Sequence, residues 1–590
     1  MGAHMKLRRG NAGIRLFQVL ASISLGALAS GQTLISSHTG ALNESFGAAM
    51  VSAGFQDADT YADVLVGSPG ANRAECVSGR YLATGAGPML LWTVHGVTTS
   101  GGFGSALAAV GDLTGDGVDD FIVGEPFYRV NPLTSVNNGA VHLVGGATHA
   151  IVATVYGSAN TQLGGVVASV GDQNGDGKHE VATTASATNT NDASWVHVIS
   201  GAAFSGTKSL ASAAHSSLNS NGANEFGATL ASGFDLDGNG KRDLAIGSPR
   251  MFGESGILHV VSADGQFATL AAYSGASQEK MASSISASHD YNGDGVVDFV
   301  VGAPGWSTNH AVEDGRAVVL SGANLSSFTL PFELASFKLS NGSNHNRFGA
   351  AVRASPDLNG DGVGDFLIGA PEYSTFLGAK KGLVQVHSGA TLARIATVVG
   401  ATGERLGAVL LGGLQDVNGD LFPEFLVAGP ASCGGNFICG VVKLYALFPL
   451  PTTTYCTGKL NSQGCTPFMG WSGAPSASSS APFILSCSNA LNQVSGLLFY
   501  SHAPASTPFQ GGVKCVEPPL RRTAVLNSGG SATGTDCTGV FSYDFNARIQ
   551  SGVDNTLVAG AEIFAQCWSR DSASPSATSL SNAVRFVISP

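Results

Sequence analysis

Charge is scarce in this chain. Lys, Arg, Asp and Glu together make up 12 % of its 590 residues, too few for the long solvated helices or basic patches that grip phosphate backbones. What charge there is leans acidic, with a formal net of −12 at pH 7, which argues against nucleic-acid or anionic-membrane partners. Aromatic residues are modest at 8 %. Catalytic signatures are missing: H-E-x-x-H, G-x-S-x-G and G-x-x-x-x-G-K-[ST] do not occur, and the 14 histidines are scattered. The apolar run from Leu16 to Leu28 is too short for a membrane span. It follows Lys6, Arg8, Arg9 and Arg15 and ends on Ala27-Leu28-Ala29, so residues 1–31 read as a secretory signal peptide. Its removal takes away four basic and no acidic residues, leaving the rest more acidic still.

Glycine, by contrast, is abundant at 80 residues, a balance that fits short strands and tight turns. Much of it falls in one recurring stretch, best seen in Asp290-Tyr291-Asn292-Gly293-Asp294-Gly295-Val296-Val297-Asp298. Side-chain oxygens stand at the first, third, fifth and ninth positions, and the glycines supply backbone angles other residues resist. A hard cation such as Ca²⁺ suits that set. The opening is similar to an EF-hand loop, but the last acid comes at position nine and a β-rich run follows in place of a helix, so a strand-to-strand calcium turn is expected.

Copies stand at Asp112, Thr114, Asp116 and Asp120; at Asp172, Asn174, Asp176 and Glu180; at Asp235, Asp237, Asn239 and Asp243; and at Asp357, Asn359, Asp361 and Asp365. With Asp290, Asn292, Asp294 and Asp298 that makes five sites. A sixth copy, Asp416, Asn418, Asp420 and Glu424, has Leu421 where the others have glycine, and Pro423; both are expected to distort its turn, so it is not counted with the five. An incomplete copy around Asp57, Asp59 and Asp63 lacks both glycines and is expected to bind nothing. A lone Asp-Asn-Gly cluster is an ordinary turn. Repetition at fixed offsets is what a metal requires and a turn does not. The ions are expected to be structural, since protein oxygens fill the cages.

The loops start at 112, 172, 235, 290, 357 and 416, a spacing that indicates a propeller or solenoid. Each of seven units opens on an apolar residue before a small one: Phe46-Gly47, Phe103-Gly104, Leu163-Gly164, Phe226-Gly227, Met281-Ala282, Phe348-Gly349 and Leu406-Gly407. An apolar strand, the loop, a second strand ending in Gly-x-Pro, a third such as 315–320 and a fourth such as 151–155 then make one blade. Pairing Phe348-Gly349 with Gly369-Ala370-Pro371, Phe226-Gly227 with Gly247-Ser248-Pro249, and Phe103-Gly104 with Gly124-Glu125-Pro126, the chain resembles FG-GAP repeat proteins such as the propeller of integrin α subunits. The resemblance covers about residues 32–448 and implies a seven-bladed β-propeller. Unit 3 departs from it with Thr184-Ala185-Ser186, which predicts a different end to its second strand. The last unit lacks a fourth strand, and Thr33-Leu34-Ile35-Ser36 is expected to supply it.

Residues 449–454 read as a linker and 455–590 as a disulfide-rich β-sandwich, since Cys456, Cys465, Cys487, Cys515, Cys537 and Cys567 cluster there. Cys433 and Cys439 form an expected local pair, which leaves Cys76 odd, either buried or open to another chain.

The resemblance also implies ligand recognition on the face opposite the metal turns. Loops there carry Phe127, Tyr128 and Arg129; Asn189, Asn191 and Asp192; Trp306, Asn309 and His310; and Tyr373, of which Phe127, Tyr128, Arg129, Trp306, Asn309 and Tyr373 are the candidate ligand-binding residues. Together these readings predict an all-β, secreted or cell-surface protein that binds an extracellular protein in adhesion. A glycan-binding lectin and a polysaccharide-active enzyme are the alternatives.

Overall fold

In the computed structural model the described residues are 32–590 apart from 132, 134–135, 187–193, 220–224, 308–312, 328–332, 340–344, 375–379, 418–421, 433–437, 448–451, 478–480, 559–560 and 589–590. The expected signal peptide, Asn189, Asn191, Asp192, Asn309, His310, Asn418, Asp420, Leu421 and Cys433 lie outside them. No described helix is long and apolar enough to cross a membrane.

The repeat region forms propeller-like antiparallel blades. Ser284–His289, Asp298–Ala303, Arg316–Leu320 and Glu333–Lys338 make one, hydrogen-bonded in sequence order. Its second strand is wholly buried, as expected for a strand covered on both faces. Among the described residues six sheets of this kind have four strands, and a seventh has five because Gly206–Ser209 adds in parallel to Ala150–Tyr156. The first strands of successive sheets touch in a closed circuit, the first (Ala49–Gly54) meeting the last (Val409–Leu411). Thr33–Thr39 pairs antiparallel with Val441–Ala446, so the start of the repeat region completes its final sheet. In unit 3 the strand Glu180–Ala185 runs six residues, the same length as Asp120–Glu125, so Thr184-Ala185-Ser186 does not shorten it.

The geometry accounts for the repeated sequence pairs. Phe103, Leu163, Met281, Phe348 and Leu406 are completely buried between sheets, where truncating a Phe costs about 3–5 kcal/mol. The glycine after Phe348 adopts φ +85°, and its carbonyl lies 1.9 Å from where a Cβ on Gly302 would be. Gly67 meets Gly104, Gly124 meets Gly164, and Gly369 meets Gly407 in the same way. At these points blade meets blade backbone to backbone, beside the buried apolar side chains, and the two halves of the motif are one contact seen from neighbouring units.

After the repeats, Thr453–Tyr455 pairs with Thr578–Val587. Thr453 and Thr454, expected in the linker, are in this strand, whose backbone completes the edge of that sheet. A six-stranded sheet and a three-stranded one (Phe468–Ser472, Ile484–Ala490, Gly539–Asp544) share one core containing Leu485, Phe541, Tyr500 and Phe586, beside a separate hairpin, Pro504–Phe509 with Gly512–Val516. Disulfides join Cys456 to Cys515 and Cys465 to Cys537. Cys487 and Cys567 are free thiols here, contrary to the expectation that all six would pair. Cys439 is disulfide-bonded, and Cys76 is buried.

Candidate metal loops and the opposite face

Each complete loop is wound around its first aspartate. Asp290 Oδ1 accepts the N–H groups of Gly293 at 2.7 Å and Asp294 at 3.1 Å, and Oδ2 that of Gly295 at 2.6 Å. Asp112, Asp172, Asp235 and Asp357 repeat the pattern. Gly293 and Gly295 sit at φ +76° and +86°, which a side chain would resist.

The ninth-position acid is the buried wall. Asp298 Oδ2 accepts from Tyr291 N at 2.8 Å while Oδ1 accepts from Gly322 N at 3.0 Å, and Asp365 does the same with Leu358 and Gly389. The donor glycine follows a serine that reaches the loop too: Ser388 Oγ donates to Asp361 Oδ2 at 2.7 Å, and Asn292 Nδ2 donates to Ser321 Oγ at 3.3 Å. These Ser-Gly pairs between third and fourth strands were not among the expected residues, although their recurrence at 200–201, 321–322 and 388–389 is visible in the sequence. Neighbouring loops are tied together as well, Lys178 Nζ donating to Leu113 O at 2.9 Å and Lys241 Nζ to Gln173 O at 2.5 Å.

The donor set fits a hard cation. Carboxylate oxygens of Asp235, Asp237 and Asp243 all lie within 4.8 Å of one another, as do those of Asp357, Asp361 and Asp365. Asp243 is 1 % exposed, yet its Oδ1 has no hydrogen-bond partner, a costly arrangement unless a cation or proton completes it. Burial pushes the carboxyl groups of Asp243 and Asp298 up to about 6 and that of Asp365 to about 7, with the other loop acids adding to the effect. The exposed first aspartates Asp112 and Asp172 shift down, held there by backbone donors led by Gly117 and Gly177. Thr114 Oγ1 stands 3.4 Å from both Asp112 Oδ1 and Asp120 Oδ1. In the sixth copy Val417 N donates to Glu424 Oε2 at 2.7 Å, the same closing bond as elsewhere. In the incomplete copy Asp63 accepts from Gln56 and Gly79, and Asp57 accepts from Asp59 N.

At the other end of the blades the candidate ligand residues divide. Phe127 is 42 % exposed. Trp306 and Tyr373 are half-buried, and Lys338 Nζ lies 5.1 Å above the Trp306 ring. Arg129 Nε donates to Asn137 Oδ1 at 3.0 Å. Tyr128 is 9 % exposed and packs on the rings of His142 and Tyr156; its ring belongs to the blade interior, because the adjacent strand carries a buried His142–Glu125 pair at 2.8 Å beneath it. A cleft of about 210 Å³ opens between units 4, 5 and 6. Glu225, Arg250, Lys280, Glu313 and Arg347 line it in a chain of ion pairs: Arg250–Glu225 at 3.1 Å, Lys280–Glu313 at 2.9 Å and Arg347–Glu313 at 3.8 Å. Sequence reasoning passed over these charges. Their signal was position: Glu225, Lys280 and Arg347 each precede the apolar residue that opens a unit, and all three adopt positive φ.

Comparison with known proteins agrees with this geometry. The model of the FG-GAP repeat matches residues 103–144, 226–261, 281–320 and 348–387. The bovine phosphatidylinositol-glycan-specific phospholipase D is 33 % identical over 167 residues, 27 % of this chain and 20 % of that protein. Its rat counterpart is 27 % identical over 293 residues, covering 47 % of this chain and 34 % of the relative. Integrin alpha-PS2 of Drosophila melanogaster is 29 % identical over 214 residues, 34 % of this chain and 15 % of the integrin. The chain thus spans about a third or less of these relatives. It carries FG-GAP repeats and is similar, over part of its length, to phosphatidylinositol-glycan-specific phospholipase D and to integrin alpha chains.

Proposed function

We propose that the chain is an extracellular binding protein of the adhesion type: a seven-bladed propeller fixed by structural Ca²⁺ on one face, with a protein ligand held on the other. The cleft carries this reading. Its charged side chains lie on loops between second and third strands and between units, the end opposite the Asp-rich turns, and ion pairs that reach solvent, Arg250–Glu225 above all, are held weakly enough for a partner to exchange them. Disulfides and the integrin relatives support an extracellular setting. When bound, calcium would neutralise the loop carboxylates. The loop residues orient the turn through their backbone bonds, and the ninth-position acid fixes it to the next hairpin.

The test is binding of the purified chain to extracellular-matrix proteins and to a glycan array, each in calcium and in chelator. Saturable binding to a matrix protein that an Arg250→Ala/Arg347→Ala double variant weakens at least tenfold is expected. Binding to glycans alone, or protein binding indifferent to the two arginines, would overturn it. Because one set of relatives is named for phospholipase D activity, release of a phosphatidylinositol-glycan-anchored protein from vesicles is a worthwhile control; turnover there would replace the adhesion reading.

A further inference from the structure

The two sheets of the C-terminal region bring two thiols together that neither bonded pair uses. Cys487 lies on Ile484–Ala490 of the three-stranded sheet and Cys567 on Glu562–Arg570 of the larger one. They are 1 % and 2 % exposed, belong to the same core, and make a side-chain hydrogen bond to each other. Both strands depart from regular pairing at these residues. The register of Ile484–Ala490 shifts immediately after Cys487, and the ladder of Glu562–Arg570 skips Cys567, whose N–H instead goes to Ser581 Oγ at 3.0 Å. A bulge re-aims the side chain it carries, and here the re-aimed side chain meets the cysteine of the facing sheet.

We propose that Cys487 and Cys567 are joined by a disulfide that cross-links the two sheets through their shared core. The remaining cysteines of the region are already paired, Cys456 with Cys515 and Cys465 with Cys537, so the chain matures where thiols are oxidised, and no other cysteine of the region is left to take either sulfur. In the reaction one thiolate attacks the disulfide of a thiol–disulfide exchange partner and forms a mixed disulfide, which the second thiolate then displaces. Two S–H bonds break and one S–S bond forms; two electrons and two protons pass to the partner, which leaves as two thiols. The contact with Cys487 and burial hold the Cys567 thiol well above its ordinary range, and the core excludes an exchange partner, so the bond forms before the sheets close. Once made, it is sealed from reductant in the folded protein.

The experiment uses the full chain recovered by secretion, alkylated in denaturant without reductant, digested and mapped by mass spectrometry. The expected result is one cross-linked species containing Cys487 and Cys567, lighter by two hydrogens than its separate peptides, with Cys76 alkylated. Before denaturation, reductant should leave this bond intact longer than the Cys465–Cys537 bond. Alkylation of both Cys487 and Cys567 in a sample whose Cys456–Cys515 and Cys465–Cys537 peptides are linked would overturn the proposal. Either cysteine joined to any other partner would do the same.

Discussion

A loop aspartate can serve as a backbone cap, as a metal ligand, or as both, and one substitution separates the roles. Asp237 Oδ1 accepts from Asn239 N at 3.0 Å, and Asp237 is one of the two carboxylates that converge with Asp243. Asp237→Asn keeps an acceptor for that bond and removes the charge. The chelated variant should melt with the wild type, while in calcium it should lose part of the metal-dependent gain, about 1.4 kcal/mol for each tenfold loss of affinity. Equal melting of both proteins in calcium would make the loop a plain turn. The oxygen offsets were legible because all ligand types fall within a nine-residue window. The burial of Tyr128 was not, because it depends on His142, which the sequence places fourteen positions away and the next strand brings beneath the ring.

Strands and turns make two further predictions. Gly302→Ala would place a Cβ 1.9 Å from Gly349 O and 2.4 Å from Ser284 Oγ. The serine can rotate but the Gly349 carbonyl cannot move without shifting a blade, so the variant should lose about 1–3 kcal/mol in urea titration. An unchanged midpoint would mean that the backbone-to-backbone contact is not what the repeated glycine serves. The strand Trp195–Ile199 holds His197, 8 % exposed, with Nδ1 unpartnered. Burial, with His215 nearby, lowers its pKa from 6.5 to about 4. The folded state therefore disfavours the imidazolium: the contribution is fully present above 6.5 and is lost as pH falls toward 4. Across that window urea midpoints of the wild type should fall relative to those of His197→Phe, which keeps a ring between Trp195 and His215, so that the difference between the two profiles isolates this group from the loop carboxylates. Parallel profiles would show that His197 titrates normally. At this scale the sequence was most readable where one unit could be laid on another. The fifth strand, Gly206–Ser209, was missed because it is parallel and unique to one unit, with no repeat to reveal it.

At the scale of the whole molecule the decisive link is between segments about four hundred residues apart. A repeat pattern can count units, and a missing fourth strand can be noticed, but register is what joins the ends: Ser37 faces Lys443 and His38 faces Val442. Without Thr33–Thr39, the strand Val441–Ala446, buried throughout its length, would become an open edge able to pair with another chain. A chain beginning at residue 40 should consequently self-associate with rising concentration in light scattering and unfold at lower urea than the chain beginning at residue 32. Calcium should restore only part of the difference, because the metal loops brace each blade and its neighbour but do not replace the missing strand. A truncated chain that stays monomeric and equally stable would mean the sheets close without it, and the contact between Ala49–Gly54 and Val409–Leu411 would then be enough to hold the circuit.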